Sequence, residues 1–181
     1  NNIGLANKQL GNISEAIANY NRSLDISRAA KDIKGISTSL INLSSLYVGQ
    51  GDAIKAEKSL QEALLIGNEL NDKNLISNSL QNLSNIYKEN HNLKNALLFA
   101  RKAEVAIEET GNIDMLKDNK LLLSNIYEEM GDFKGSLAFH KQYTTLHDSI
   151  FNAGNTERFN RLQTEFETIK KEKEIEILKV D

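Results

Sequence analysis

Leu43-Ser44-Ser45-Leu46-Tyr47-Val48-Gly49-Gln50-Gly51-Asp52-Ala53-Ile54-Lys55-Ala56 decides the fold, because its key positions return every 40 residues. Leu10-Gly11-Asn12, Gln50-Gly51-Asp52, Asn90-His91-Asn92 and Met130-Gly131-Asp132 stand in one alignment. Five residues after each Gly or His comes a small side chain: Ala16, Ala56, Ala96 and Ser136. Four residues before it come Asn7, Tyr47, Tyr87 and Tyr127. Self-similarity at this period marks a solenoid, whose units bury their apolar faces only by stacking on one another. A chain of this kind is first of all a binding surface.

Each unit reads as two antiparallel helices. Ile36, Leu40, Leu43 and Tyr47 lie at spacings of four, three and four, which is one helical face. Ile76, Leu80, Leu83 and Tyr87 repeat it, and Leu116, Lys120, Leu123 and Tyr127 repeat it with one charged interruption. Gly51 supplies the turn, and the Asp52 carboxylate caps the helix that follows. Asn12, Asn92 and Asp132 hold the same place with the same chemistry. The second helices carry Ile17, Tyr20 and Leu24, then Leu60 and Leu64, then Leu97, Ala100 and Ala103. The small residues at 16, 56, 96 and 136 let two backbones approach closely, and each Tyr is read as a wedge with its hydroxyl at the surface. The units fall at about 1–31 (truncated), 32–71, 72–111 and 112–150.

Composition narrows the function classes. The 181 residues are 40% hydrophobic and 26% charged, ordinary for a folded protein. A net charge of -3 without a basic stripe argues against nucleic acid, and no apolar run is long enough to span a membrane. The chain opens on Asn1-Asn2-Ile3 inside a repeat, without the pattern of a leader, and is read as an excised fragment. The absence of cysteine excludes disulfides and thiolate metal sites, and the absence of proline leaves long helices unkinked.

Beyond Ile150 the period fails. Phe151-Asn152-Ala153-Gly154-Asn155 is read as a loop, with Asn155 or Thr156 capping a last helix over 154–181. Phe159, Leu162, Phe166, Ile169, Ile177 and Val180 form a loosely heptad stripe in a highly charged segment. Glu157–Arg161 and Glu167–Lys171 are favourable i,i+4 pairs. The first half of that helix covers the last repeat, and the second half reads as the start of a coil that favours a parallel dimer.

The pattern resembles the tetratricopeptide repeat. Leu43-Ser44, Tyr47, Gly51-Asp52, Ala56 and Ala63 fill the family's places in the second unit. Leu83-Ser84, Tyr87, Ala96 and Ala103 do so in the third, and Leu123-Ser124, Tyr127 and Gly131-Asp132 in the fourth. The resemblance implies an all-α, right-handed superhelical solenoid of antiparallel helix pairs, here with a long C-terminal capping or coil helix. There are departures: Arg28, Asn68, Glu108 and Asp148 stand where the family often has Pro, His91 replaces Gly, and Asn7 replaces Tyr. The 40-residue form is similar to repeats of polarity scaffolds and of bacterial peptide-sensing regulators. The stretches Tyr143–Phe151 and Phe166–Leu178 resemble the junction of bacterial membrane-bound sensors, where a periplasmic repeat domain leads to a histidine kinase or a helix-turn-helix regulator. That implies a sensor region of an inner-membrane signal-transduction protein, facing the periplasm. The alternatives are a cytoplasmic scaffold or adaptor, and an intracellular peptide-pheromone regulator.

The family binds extended peptides in the groove along its first helices. Asn42 and Asn82 match the groove positions, as does Asn2; Thr38, Ser45, Asn78, Asn85 and Asn125 share their face. A carboxamide both donates to and accepts from a peptide backbone. Where relatives that capture a C-terminal carboxylate carry basic residues, this chain has Thr38, Asn78 and Asp118, with Gln81 and Ser45 nearby, so that function is not expected. His140 and His147 are seven residues apart, about 10 Å along one helix, too far to share a metal directly. Glu108-Glu109 and Glu128-Glu129 have no shielded cleft to make a general acid and base, and there is no Gly-rich phosphate loop. The reading is a non-catalytic binding domain, without metal or cofactor, whose partner is a protein or peptide.

Overall fold

A computed structural model describes residues 12–178, which form seven helices and no strand. Asn2, Asn7, Gly11 and Val180 lie outside the described residues. The helices are α1 (Ile13–Ala29), α2 (Ile33–Gly49), α3 (Ala53–Leu70), α4 (Lys73–Glu89), α5 (Leu93–Thr110), α6 (Ile113–Glu129) and α7 (Phe133–Leu178). Every helix packs against the next, and α4 also touches both α2 and α6. The inner helices α2, α4 and α6 thus follow one another along one side of an all-α repeat fold.

The turns show why these helices end where they do. The middle residue of each turn has positive φ: Lys31, Gly51, Asn71, His91, Gly111 and Gly131. In five of these turns the next residue sends its N–H back to a carbonyl in the last helical turn, as in Asp52 to Tyr47 (2.8 Å), Asn92 to Tyr87 (2.8 Å) and Asp132 to Tyr127 (2.9 Å); Asn112 N instead donates to Thr110 Oγ1 at 3.1 Å. Its side chain then caps the following helix: Asp32 accepts from Gly35 N, Asp52 from Lys55 N, Asp72 from Leu75 N, Asn92 from Asn95 N, Asn112 from Met115 N and Asp132 from Gly135 N. Asn12 departs from the expectation and makes no side-chain cap.

The small residues behave as packing demands. Ala16, Ala56 and Ala96 are fully buried, while Ser136 is half-buried and its carbonyl accepts from Ser124 Oγ at 3.0 Å. Gly67 marks another close approach, because a Cβ there would lie 3.0 Å from Ile76 Cγ1 and 3.2 Å from its backbone N. Leu60, Leu83 and Ile86 form one buried cluster with Ala56. The tyrosines are half-buried, but two of their hydroxyls are engaged rather than left to solvent. Tyr87 donates to Glu57 Oε1 at 2.5 Å and stacks on Phe99, and Tyr127 accepts from Arg101 Nη2 at 3.0 Å and stacks on Phe139. The hydrogen bond to Glu57, with burial and the carboxylate's charge, pushes the Tyr87 phenol up to about 12.

One charged position finds a partner, and one sequence expectation needs correction. Lys120, the charged interruption of the apolar stripe, is buried there, and its Nζ donates to Glu104 of α5, which Arg101 also holds at 3.0 Å. Residues 151–155 form no loop, because α7 runs unbroken through them for 46 residues. Gly154 lacks the positive φ of the true turns and does not end the helix, and Thr156 lies inside it, donating from Oγ1 to Asn152 O at 2.9 Å rather than capping a new start.

Candidate ligand groove

On α4, Asn78, Gln81, Asn82, Asn85 and Lys88 fall at i, i+3, i+4, i+7 and i+10, one face of a helix. On α6, Asp118, Leu121, Leu122 and Asn125 face them. Together these nine residues line a groove of about 340 Å³. Gln81 ties its two walls together, donating from Nε2 to Met115 O at 3.2 Å. Asn78 and Asn82 are braced by their own helix: each Nδ2 donates to the carbonyl four residues back, at 3.0 and 2.9 Å. Each keeps its carboxamide oxygen and a second N–H for a ligand. Lys88 is the groove's cation, 3.6 Å from Glu129, and Asp118 is its anion, 3.4 Å from Lys117.

Four of the seven expected groove residues therefore meet: Asn78, Asn82, Asn85 and Asn125. Thr38, Asn42 and Ser45 occupy the matching positions on α2, one unit earlier, and do not line this groove. Thr38 Oγ1 donates to Lys34 O at 2.8 Å, a bond within its own helix. Lys88, Leu121 and Leu122 were not anticipated. The spacing of three between Asn85 and Lys88 is the signal that reaches Lys88; the two leucines need the position of α6 against α4.

The groove offers amide donors and acceptors along its length, one charge of each sign and an apolar floor patch from two leucines. That chemistry suits an extended main chain better than a reaction centre. Elsewhere, Tyr143 lies between His140 and His147, with ring centroids 5.7 and 5.9 Å away. Among the described residues no group of three or more His, Asp or Glu side chains converges as a metal site would require.

Comparison with known proteins agrees with the repeat fold. Residues 1–64 and 35–104 match the family described as Tetratricopeptide repeat. No curated protein matches the sequence. Among solved structures, BtubC (BKLC) from P. vanneervenii superposes with a TM-score of 0.75 at 18% identity, over 82% of this chain and 61% of that one. The apo form of RapI superposes with a TM-score of 0.78 at 16% identity, over 83% of this chain and 55% of RapI. At these identities the likeness is one of fold, and the chain spans less than two thirds of either structure.

Proposed function

The chain belongs to the tetratricopeptide repeat family, and from that premise we propose that it is a non-catalytic domain that holds an extended peptide segment between α4 and α6. The observation that carries this is the convergence of Asn78, Asn82, Asn85 and Asn125 on one groove of about 340 Å³. Amides serve as a sequence-tolerant clamp, because every peptide backbone presents the same alternating N–H and C=O groups. Lys88 and Asp118 bias the ligand toward side chains of opposite charge to each.

In this reading the domain is the sensor or interaction region of a bacterial signal-transduction protein. What supports a signalling role is the continuity of α7, which packs on α6 and then runs on without a break. A ligand that draws α4 and α6 together shifts the helix packed behind them, and a rigid helix carries that shift to its far end.

The test is a peptide selected from a randomised library against the intact chain, measured calorimetrically on the parent and on Asn82→Ala/Asn85→Ala. The double variant should lose at least about tenfold in affinity, the worth of one to two well-placed hydrogen bonds. Its thermal unfolding should stay at the parent's temperature, since both side chains are on the groove side rather than in the core. Unchanged affinity would sink the groove assignment.

A further inference from the structure

The solenoid's stacking rule leaves one trough unfilled. Each inner helix and its outer partner form a trough that the next inner helix closes. Leu75 of α4 joins Ile36, Leu40 and Ala63 in one cluster, and Met115 and Leu116 of α6 pack on Ile76, Leu80, Ala103 and Ile107. One unit on, the corresponding trough between α6 and α7 is lined by Leu116, Lys120, Lys141, Gln142, Thr145 and Leu146. It is an open depression of about 410 Å³, and no described residue fills it. Among the described residues no next inner helix follows: where Asp32, Asp72 and Asn112 start new helices, the chain has Asn152 in the middle of α7. Nor can α7 serve its own trough, because an unbroken helix does not fold back on its own flank.

We propose that a second copy of this chain supplies the missing helix. The later half of one copy's α7 lies in the other's α6–α7 trough, antiparallel to the α7 already there, and the exchange is reciprocal. The occupant's sequence fits. Phe159, Leu162, Phe166 and Ile169 recur at spacings of three, four and three, an apolar edge for a trough with Leu116 and Leu146 in its walls. The antiparallel alignment that sets Leu162 against Leu146 also sets Phe166 beside Gln142 and Glu167 beside Lys141, an acid on a basic rim. The two-fold axis then crosses α7 at Ala153 and Gly154, both exposed and small enough for two helices to approach closely. Each tail becomes the next inner helix of the other copy's solenoid, so the new contact continues the interface that already builds the molecule. This dimer differs from the parallel coil that the heptad stripe alone suggests, and it is independent of the groove reading.

The chain has no cysteine of its own, which makes the test clean. Leu146→Cys/Leu162→Cys should run as a dimer by light scattering and form a disulfide between copies under mild oxidation. Mass spectrometry of mixed light- and heavy-isotope chains should map the bond from 146 of one copy to 162 of the other. Leu162→Cys alone should give no disulfide dimer, and Leu146→Glu should halve the scattering mass while leaving helix content by circular dichroism unchanged. A disulfide between two copies of Leu162→Cys would establish the parallel coil and overturn the proposal. A 146–162 bond within one chain would do so in favour of a folded-back tail, and so would monomer mass for the parent at about 100 µM.

Discussion

At the scale of single residues, Lys120 teaches most. Its sequence position predicts an apolar side chain, after Leu40 and Leu80, and a lysine there looks like a flaw in the stripe. The partner that rescues it, Glu104, sits 16 residues earlier on the facing helix, with side-chain exposures of 10% and 13% for the pair. No local pattern reveals such a pairing, because it depends on how two helices face each other. Burial disfavours the ionised Glu104, but hydrogen bonds and charges from Lys120 and Arg101 outweigh it and hold the carboxyl below the usual carboxylate range. The sign of the pH effect follows. A depressed folded-state value contributes stability above the ordinary carboxylate range, and that contribution is lost as pH falls through the lowered value. Lys120→Met should cost on the order of 2 kcal/mol at pH 7, less than a fully orphaned buried charge because Arg101 remains beside Glu104. Denaturant titrations at pH 7 and pH 3 should show the gap to the parent shrinking at the acid end. A gap that stays constant would mean that the ion pair is not what Lys120 contributes.

At the scale of elements, turns and caps were the most legible feature of the chain. Gly51, Gly131 and the Asp or Asn after each turn announce themselves in sequence, and the structure gives them the positive φ and the side-chain caps that those residues favour. The misreading at 151–155 used the same clues, a Gly among Asn residues. Composition alone does not end a helix; the φ reversal and the returning N–H do, and neither occurs there. His91 tests this account directly, since it holds φ 55 where its counterparts Gly51 and Gly131 hold 77 and 78. A side chain in that region costs about 1–2 kcal/mol, and glycine's freedom in the unfolded chain returns part of it. His91→Gly should therefore stabilise by about 0.5–1 kcal/mol, and Gly131→Ala should destabilise by about 1 kcal/mol. Melting temperatures of the two variants should move in opposite directions. If both fell, the strain assigned to His91 would be absent.

At the scale of the molecule, the repeat made the stack readable but left the site half drawn. The face carrying Asn78, Asn82 and Asn85 follows from helical spacing, whereas their meeting with Asp118, Leu121, Leu122 and Asn125 depends on how closely α6 stands beside α4. Spacing between units has no signature in a single unit's sequence. It is set by clusters that bridge units, such as the one where Leu60 meets Leu83 and Ile86 beneath Tyr47 and Phe99. Because each unit touches only its neighbours, stability in such a stack is close to a sum of unit and interface terms. A cavity in a bridging cluster should then do more than lower the total. Leu60→Ala, at a fully buried position, should cost about 2–5 kcal/mol. It should also uncouple the two sides: amide exchange in α1 and α2 should quicken ahead of exchange in α5 and α6, which the parent keeps closer together. Exchange measured helix by helix decides the matter. Equal quickening in all helices would show one indivisible cooperative unit, and the transmission from groove to α7 would then have to be global rather than passed from neighbour to neighbour.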